Sequence, residues 1–176
     1  MKLSIINLLL YVIILFISSC GEKFESIHKE FVIANPKVLA EDVVIKDSIE
    51  NFYFSRIYIH DKCGLQIIYK LPKEYQNKEL WVVVRGRART NYAHSNANIS
   101  LNTRSIDGQM LCWKATRLRY YFTDINKWCH FKDSIFLTNS LFDKTHYTIT
   151  TFAFLGNSGS ELFDMDSLII DIKQKI

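Results

Sequence analysis

From residue 43 onward the chain is cut into short runs rich in Val, Ile, Tyr, Phe, Trp and Thr, at 52–59, 65–71, 80–89, 97–104, 110–122, 128–137, 147–155 and 167–172. No stretch of ten or more residues repeats apolar positions at intervals of three and four, so amphipathic helix is not a main element. Short strands at this spacing build an antiparallel sandwich or barrel, because a single hairpin has nothing to bury its apolar face against. The only helical turn expected lies near 72–77, in a loop.

The middle of the chain permits a register. Asp107-Gly108 between two strand-like runs signals a two-residue type I′ turn, whose central positions both need positive φ. That turn sets Thr103 opposite Cys112, Asn102 opposite Trp113, Ile99 opposite Thr116, Asn98 opposite Arg117 and Asn96 opposite Arg119. The loop 90–95 is read as a second hairpin, which brings Arg87 to face Asn98 and Arg89 to face Asn96. Side chains alternate with period two, so the three strands have two unlike faces. Val82, Val84, Ala97, Ile99, Leu101, Cys112 and Leu118 form the core face. The other face gathers Arg85, Arg87, Arg89, Arg117 and Arg119 around Asn96, Asn98, Ser100 and Asn102, edged by Trp81, Trp113 and Tyr121. Lys114 falls on the core face, and a bulge within 110–122 is expected to turn it out.

The first residues describe an export signal. Lys2 is followed by an apolar run from Ile5 to Ile17, interrupted by Asn7, and then by Ser18, Ser19 and Cys20. That run is shorter than the roughly 20 apolar residues a spanning helix needs. Ile17-Ser18-Ser19-Cys20 resembles the lipobox of bacterial lipoproteins, in which small residues admit the peptidase and the cysteine thiol takes a diacylglyceryl group. The resemblance implies a signal peptide over 1–19, a lipidated tether and first segment over 20–42, and a single β-sandwich domain over 43–176. It also implies a protein anchored by Cys20 to the envelope membrane, most naturally the outer one, with its domain outside the cytoplasm. A composition of 48% hydrophobic and 23% charged residues, with 6 Gly and 2 Pro, argues against disorder in the mature chain beyond a short tether. The net charge of +4 would suit nucleic acid, but an exported protein meets anionic glycans and lipid headgroups instead, so nucleic acid is excluded as a partner.

Once Cys20 is lipidated, Cys63, Cys112 and Cys129 remain. An oxidising compartment permits one disulfide, and Cys112 with Cys129 is the expected pair, since both lie in strand-like segments of the same half. A zinc set of His60, Cys63, Cys129 and His130 lacks a repeated two-ligand spacing and is set aside.

Three further segments carry a second resemblance. They are Leu80-Trp81-Val82-Val83-Val84-Arg85-Gly86; Trp128 with Ile135-Phe136-Leu137; and Phe154-Leu155-Gly156-Asn157 followed by Phe163-Asp164-Met165-Asp166-Ser167-Leu168-Ile169-Ile170. Together they resemble the galactose-binding-like carbohydrate-binding modules. The resemblance implies a jelly-roll sandwich and no cofactor beyond a structural calcium at Asp166, although Ser167 stands where the family has a second acidic residue.

Function is weighed on the arginine face. Arg85, Arg87, Arg89, Asn96, Asn98, Trp113, Arg117, Arg119 and Tyr121 suit a glycan or another anionic envelope component, because rings stack on sugar faces and guanidinium forks hold anionic groups. Aromatic and Arg enrichment also marks protein interfaces, so an envelope protein is the alternative partner, and a wet sheet face that merely keeps the chain soluble is the plainest one. An enzyme is not expected. Asp164 and Asp166 stand too close together for a pair flanking a glycosidic bond, and the five histidines match no nucleophile motif. Cys20→Ala is expected to leave the chain unlipidated and uncleaved in its native host. Metabolic labelling with a clickable fatty acid checks this, and label retained on the variant would refute the anchor.

Overall fold

The computed structural model describes residues 23–34, 44–57, 64–138, 145–156 and 161–176. Ten strands lie in them: β1 (Phe24–Ile33), β2 (Val44–Lys46), β3 (Tyr53–Ile57), β4 (Gln66–Lys70), β5 (Leu80–Thr90), β6 (Ala97–Arg104), β7 (Met110–Arg117), β8 (Cys129–Leu137), β9 (Thr148–Leu155) and β10 (Phe163–Lys175). Neighbours run β2-β3-β10-β5-β8 in one sheet, with β1 also on β10, and β4-β9-β6-β7 in the other. Every pairing is antiparallel. The quartet β3-β10-β5-β8 facing β4-β9-β6-β7 is the strand order of a jelly-roll sandwich. The eight runs read from the sequence are β3 to β10. Helix among the described residues is confined to two 3-10 turns, Lys73–Tyr75, where a turn was expected, and Leu118–Tyr120. No helix among these residues is long and apolar enough to cross a membrane.

Alternation decides what is buried. Val82, Val84 and Ala88 of β5, Ala97, Ile99 and Leu101 of β6, Ile149 and Ala153 of β9, and Leu168, Ile170 and Ile172 of β10 form one core between the sheets. Gly86 belongs to the same inward series. A Cβ there would lie 2.5 Å from both Phe131 Cζ and the Ser167 carbonyl oxygen, so the Phe131 ring occupies the space that any side chain would need.

The β6–β7 register is the expected one from Asn98 with Arg117 to Thr103 with Cys112. The turn itself differs. Gly108 alone has positive φ (83°), its N–H bonds to the Ser105 carbonyl, and the register shifts at Arg104, which pairs with Met110. This is a one-glycine turn with an adjoining irregularity rather than type I′; Asp107 keeps negative φ and is spared the left-handed cost. Between Asn98 and Thr103 β7 runs without a bulge, and Lys114 does point inward. Its ammonium donates to Asp133 Oδ1 at 2.6 Å and to the Ser134 carbonyl at 2.8 Å, while Thr116 Oγ1 donates to Asp133 Oδ2 at 2.5 Å. Since β7 and β8 are edge strands of different sheets, this bridge closes one open side of the sandwich. On the other side His28 of β1 stacks on Tyr69 of β4 at 3.7 Å.

One end of the six-stranded sheet is locked on its outer surface by ion pairs under aromatic rings. Arg56 of β3 binds Asp164 of β10 through two bonds, of 2.7 and 2.8 Å, and Arg89 of β5 binds the same carboxylate at 2.9 Å. Arg87 donates to Asp166 at 2.6 Å. The guanidinium groups of Arg87 and Arg89 lie 5.0 and 4.6 Å from the Trp128 ring, and 4.9 and 4.8 Å from Phe52 and Phe54 respectively. Asp47, in the loop after β2, accepts the N–H groups of Glu50 and Ile49, which with the nearby Arg89 hold its carboxyl below the usual range.

His146 joins the sheets from the inside. Its Nε2 donates to the Thr138 carbonyl at 3.2 Å, so Nδ1 is the nitrogen that accepts from Thr103 Oγ1 at 2.8 Å. Burial lowers its pKa, against a weaker opposing effect of the Thr138 carbonyl. The unfolded chain therefore takes the proton first, and stability present above the ordinary value of about 6.5 is lost as pH falls below it. Melting temperature is expected to fall from pH 7 to pH 5, with a shallower slope in His146→Gln; an unchanged slope would refute the assignment. Gly86→Ala is expected to cost about 1–3 kcal/mol, as overpacking does, read as a lower midpoint in urea.

Candidate functional site

The residues expected to form one patch stand on opposite surfaces of the sandwich. After β5 the chain does not return as a hairpin; it crosses to the other sheet. The crossing is held by Glu161, which is 3% exposed. Its carboxylate accepts from Thr90 Oγ1 at 3.2 Å, from Ser95 Oγ, and from the Asn96 N–H at 3.0 Å. Arg85, Arg87 and Arg89 therefore lie outside the six-stranded sheet, while Asn98, Trp113 and Arg117 lie outside the four-stranded one. Arg87 never faces Asn98. β7 ends at Arg117, so Arg119 falls in the 3-10 turn and its guanidinium turns to the Tyr120 hydroxyl at 3.0 Å, not to Asn96. Tyr121 donates its hydroxyl to the Lys132 carbonyl on β8 and packs 6.4 Å from Phe131, apart from Trp113.

Other expectations are corrected too. Cys112 and Cys129 are free thiols, on strands of different sheets, and burial pushes the Cys112 thiol up. Cys20, His60 and Cys63 lie outside the described residues. Asp166 is held by Arg87 and accepts Ser167 Oγ at 2.9 Å, so its charge is already matched by a guanidinium. No group of three His, Cys, Asp or Glu side chains that could hold a metal ion occurs among the described residues, and the guanidinium against Asp166 opposes a cation there. Asp164 is likewise bound by Arg56 and Arg89.

What the fold does assemble is the outer face of the four-stranded sheet. Its register lines up Ile68, Thr150, Asn102 and Trp113 in one row across β4, β9, β6 and β7. The next row is Gln66, Phe152, Ser100 and Ala115, and the third is Phe154, Asn98 and Arg117. Strands lie about 4.8 Å apart, so a row spans roughly 14 Å. Trp113 is 57% exposed and Arg117 is exposed, whereas Asn102 and Ser100 are buried in the floor between them and β9. The Ser100 hydroxyl is enclosed and has no hydrogen-bond partner, although its Cβ points away from the core. Phe152 and Phe154 lie 5.8 Å apart, tilted by 47°. The sequence reading had Asn98, Ser100, Asn102, Trp113 and Arg117 on one face; it missed Phe152, Phe154 and Thr150. The signal was the alternation Thr148-Thr150-Phe152-Phe154 within β9, but nothing local indicates that β9 lies beside β6.

No protein-family model and no curated protein matches the chain. Solved structures similar to it include a xylan-binding module, with TM-score 0.43 and 10% identity over 89% of this chain and 100% of that one. The infectious bursal disease virus VP2 subviral particle gives 0.43 and 8% over 86% and 34%. A carbohydrate-binding module from a Cellvibrio mixtus lichenase, in complex with cellotriose, gives 0.37 and 12% over 81% and 95%.

Proposed function

We propose that the protein is a non-catalytic binding module, held at the bacterial envelope by lipid on Cys20, that takes a glycan on the outer face of its four-stranded sheet. The observation that carries this reading is the 57% exposed Trp113 indole, in one row with Asn102 and on the same face as the Asn98–Arg117 row. A sugar ring has an apolar face of C–H groups, which the negative face of an indole attracts, and a rim of hydroxyls that donate and accept. Amides of the Asn98 and Asn102 type offer both roles, and Arg117 adds a planar fork of donors for a carboxylate-bearing sugar. The carboxylates of Asp164 and Asp166 are bound by guanidinium groups and are 4% and 7% exposed, so this pair is not offered to a glycosidic bond.

The test is a glycan array probed with the fragment that begins at Gly21, followed by calorimetric titration of the best hit. Trp113→Ala and Asn102→Ala are each expected to weaken binding at least tenfold, a loss of about 1.4 kcal/mol. The melting temperature of Trp113→Ala should stay close to wild type, because its side chain is largely outside the fold. Arg87→Ala, in contrast, should lower the melting temperature and leave affinity unchanged in the folded fraction, since it strips the partner from Asp166. A full-affinity Trp113→Ala, or no glycan bound by the wild type, would overturn the reading.

A further inference from the structure

The outer face of the six-stranded sheet, beyond the arginine network, is unlike the glycan face. Phe24 of β1 meets Trp81 of β5 edge-on at 5.2 Å and Phe136 of β8 at 6.3 Å. Trp81 is 39% exposed and Phe136 42% exposed. A groove of about 250 Å³ beside them is lined by Phe24, Trp81, Val83, Lys132, Ser134 and Lys173. Rings at the mouth and ammonium groups around it are the pairing that settles at a membrane–water interface, where amphipathic rings sit at headgroup level.

The charge on this face is unbalanced in one direction. Arg85 and Lys132 are directly opposed on β5 and β8, a like-charge pair that costs stability unless an anion lies between them. Among the described residues the carboxylate paired with Arg85 is that of Asp171, which is 3.8 Å away and is also shared with Ser26 Oγ at 2.7 Å and Lys173 at 3.6 Å. Arg85 Nε is enclosed without a hydrogen-bond partner. Lys132 has no carboxylate partner among the described residues. A phosphate oxygen would satisfy both cations.

Chain length supplies the third constraint. Phe24 is four residues from Cys20, a reach of at most about 14 Å. If Cys20 carries lipid, the end of the sandwich that bears Phe24 stays within that distance of the headgroups. We propose that this face lies on the bilayer, Phe24, Trp81 and Phe136 entering the headgroup region and Arg85, Lys132 and Lys173 meeting lipid phosphates. The proposal rests on the lipid-anchor reading. A diacylglyceryl group already holds a protein at the bilayer, so what a basic aromatic surface adds is a fixed orientation of the domain against anionic headgroups.

The experiment uses the full lipidated chain in vesicles of phosphatidylcholine and phosphatidylglycerol with brominated acyl chains, which quench tryptophan by contact. The wild type should be quenched; Trp81→Phe should lose at least half of that quenching, and Trp113→Phe should keep it. Lys132→Glu should reduce the quenching as well. Quenching that survives Trp81→Phe, or is absent in a wild type shown to carry the lipid label, would overturn the docking face. A chain without lipid label that is still quenched through Trp81 would overturn the anchor at Cys20 and leave the docking face standing.

Discussion

The carboxylate of Glu161 decides the layout of this molecule. By accepting from Thr90, Ser95 and Asn96 it pins the six residues in which the chain leaves one sheet and enters the other. A buried carboxylate is tolerated only with several donors, and here the donors come from both ends of the crossing, so the charge and the turn require one another. Because β5 and β6 thereby lie in different sheets, the polar series of each strand faces a different surface. Arginines collect on one side and asparagines on the other, and the two surfaces are free to acquire unrelated chemistry.

The sequence shows the strands plainly and their partners poorly. Each of the eight runs from 52 to 172 contains a strand, and the β6–β7 register holds from Asn98 with Arg117 to Thr103 with Cys112, because a short turn ties the two strands and alternation then fixes the side chains. The pairing of β5 with β6 fails for the opposite reason. Loop 91–96 has the turn-forming residues of a hairpin, and those same residues serve a crossing; only Glu161, some seventy positions away, distinguishes them. The start of β10 was missed because Asp164 and Asp166 break the apolar pattern, and their burial becomes intelligible only when Arg56, Arg87 and Arg89 are seen beside them. β1 is hidden within the expected tether, since Glu25, His28, Lys29 and Glu30 mask an alternation that is half solvent-facing on an edge strand. Of the candidate site, Asn98, Trp113 and Arg117 were legible as a group, whereas the β9 contribution depends on a non-local pairing.

Most of the arginines turn out to be bound rather than available, and the difference is physical. Arg87 and Arg89 each satisfy a β10 carboxylate and sit against the Trp128 ring, so their charge is neutralised and their stems are covered. Breaking such a pair by removing one partner costs about 3–5 kcal/mol, because the other charge remains buried. Arg117 carries no such obligation and stands exposed beside Asn98. Clustering of cations in the sequence therefore says little about binding until their counter-ions are located.

The two proposed surfaces are geometrically compatible, and that compatibility follows from the fold. In a two-sheet sandwich the outer faces point in opposite directions, separated by a core about 10 Å thick. β1 pairs with β10 in the six-stranded sheet, so if Cys20 carries lipid, the sheet that the tether enters would lie nearer the bilayer. Trp113, Asn102 and Ser100 belong to the other sheet and face away from it. Had β1 joined β4 instead, the same anchor would have pressed the asparagine face against the headgroups and closed it to a polymeric glycan. On the anchor reading the ten-residue edge strand would orient the domain as well as extend the sheet, and the His28–Tyr69 stack ties that strand to the opposite sheet.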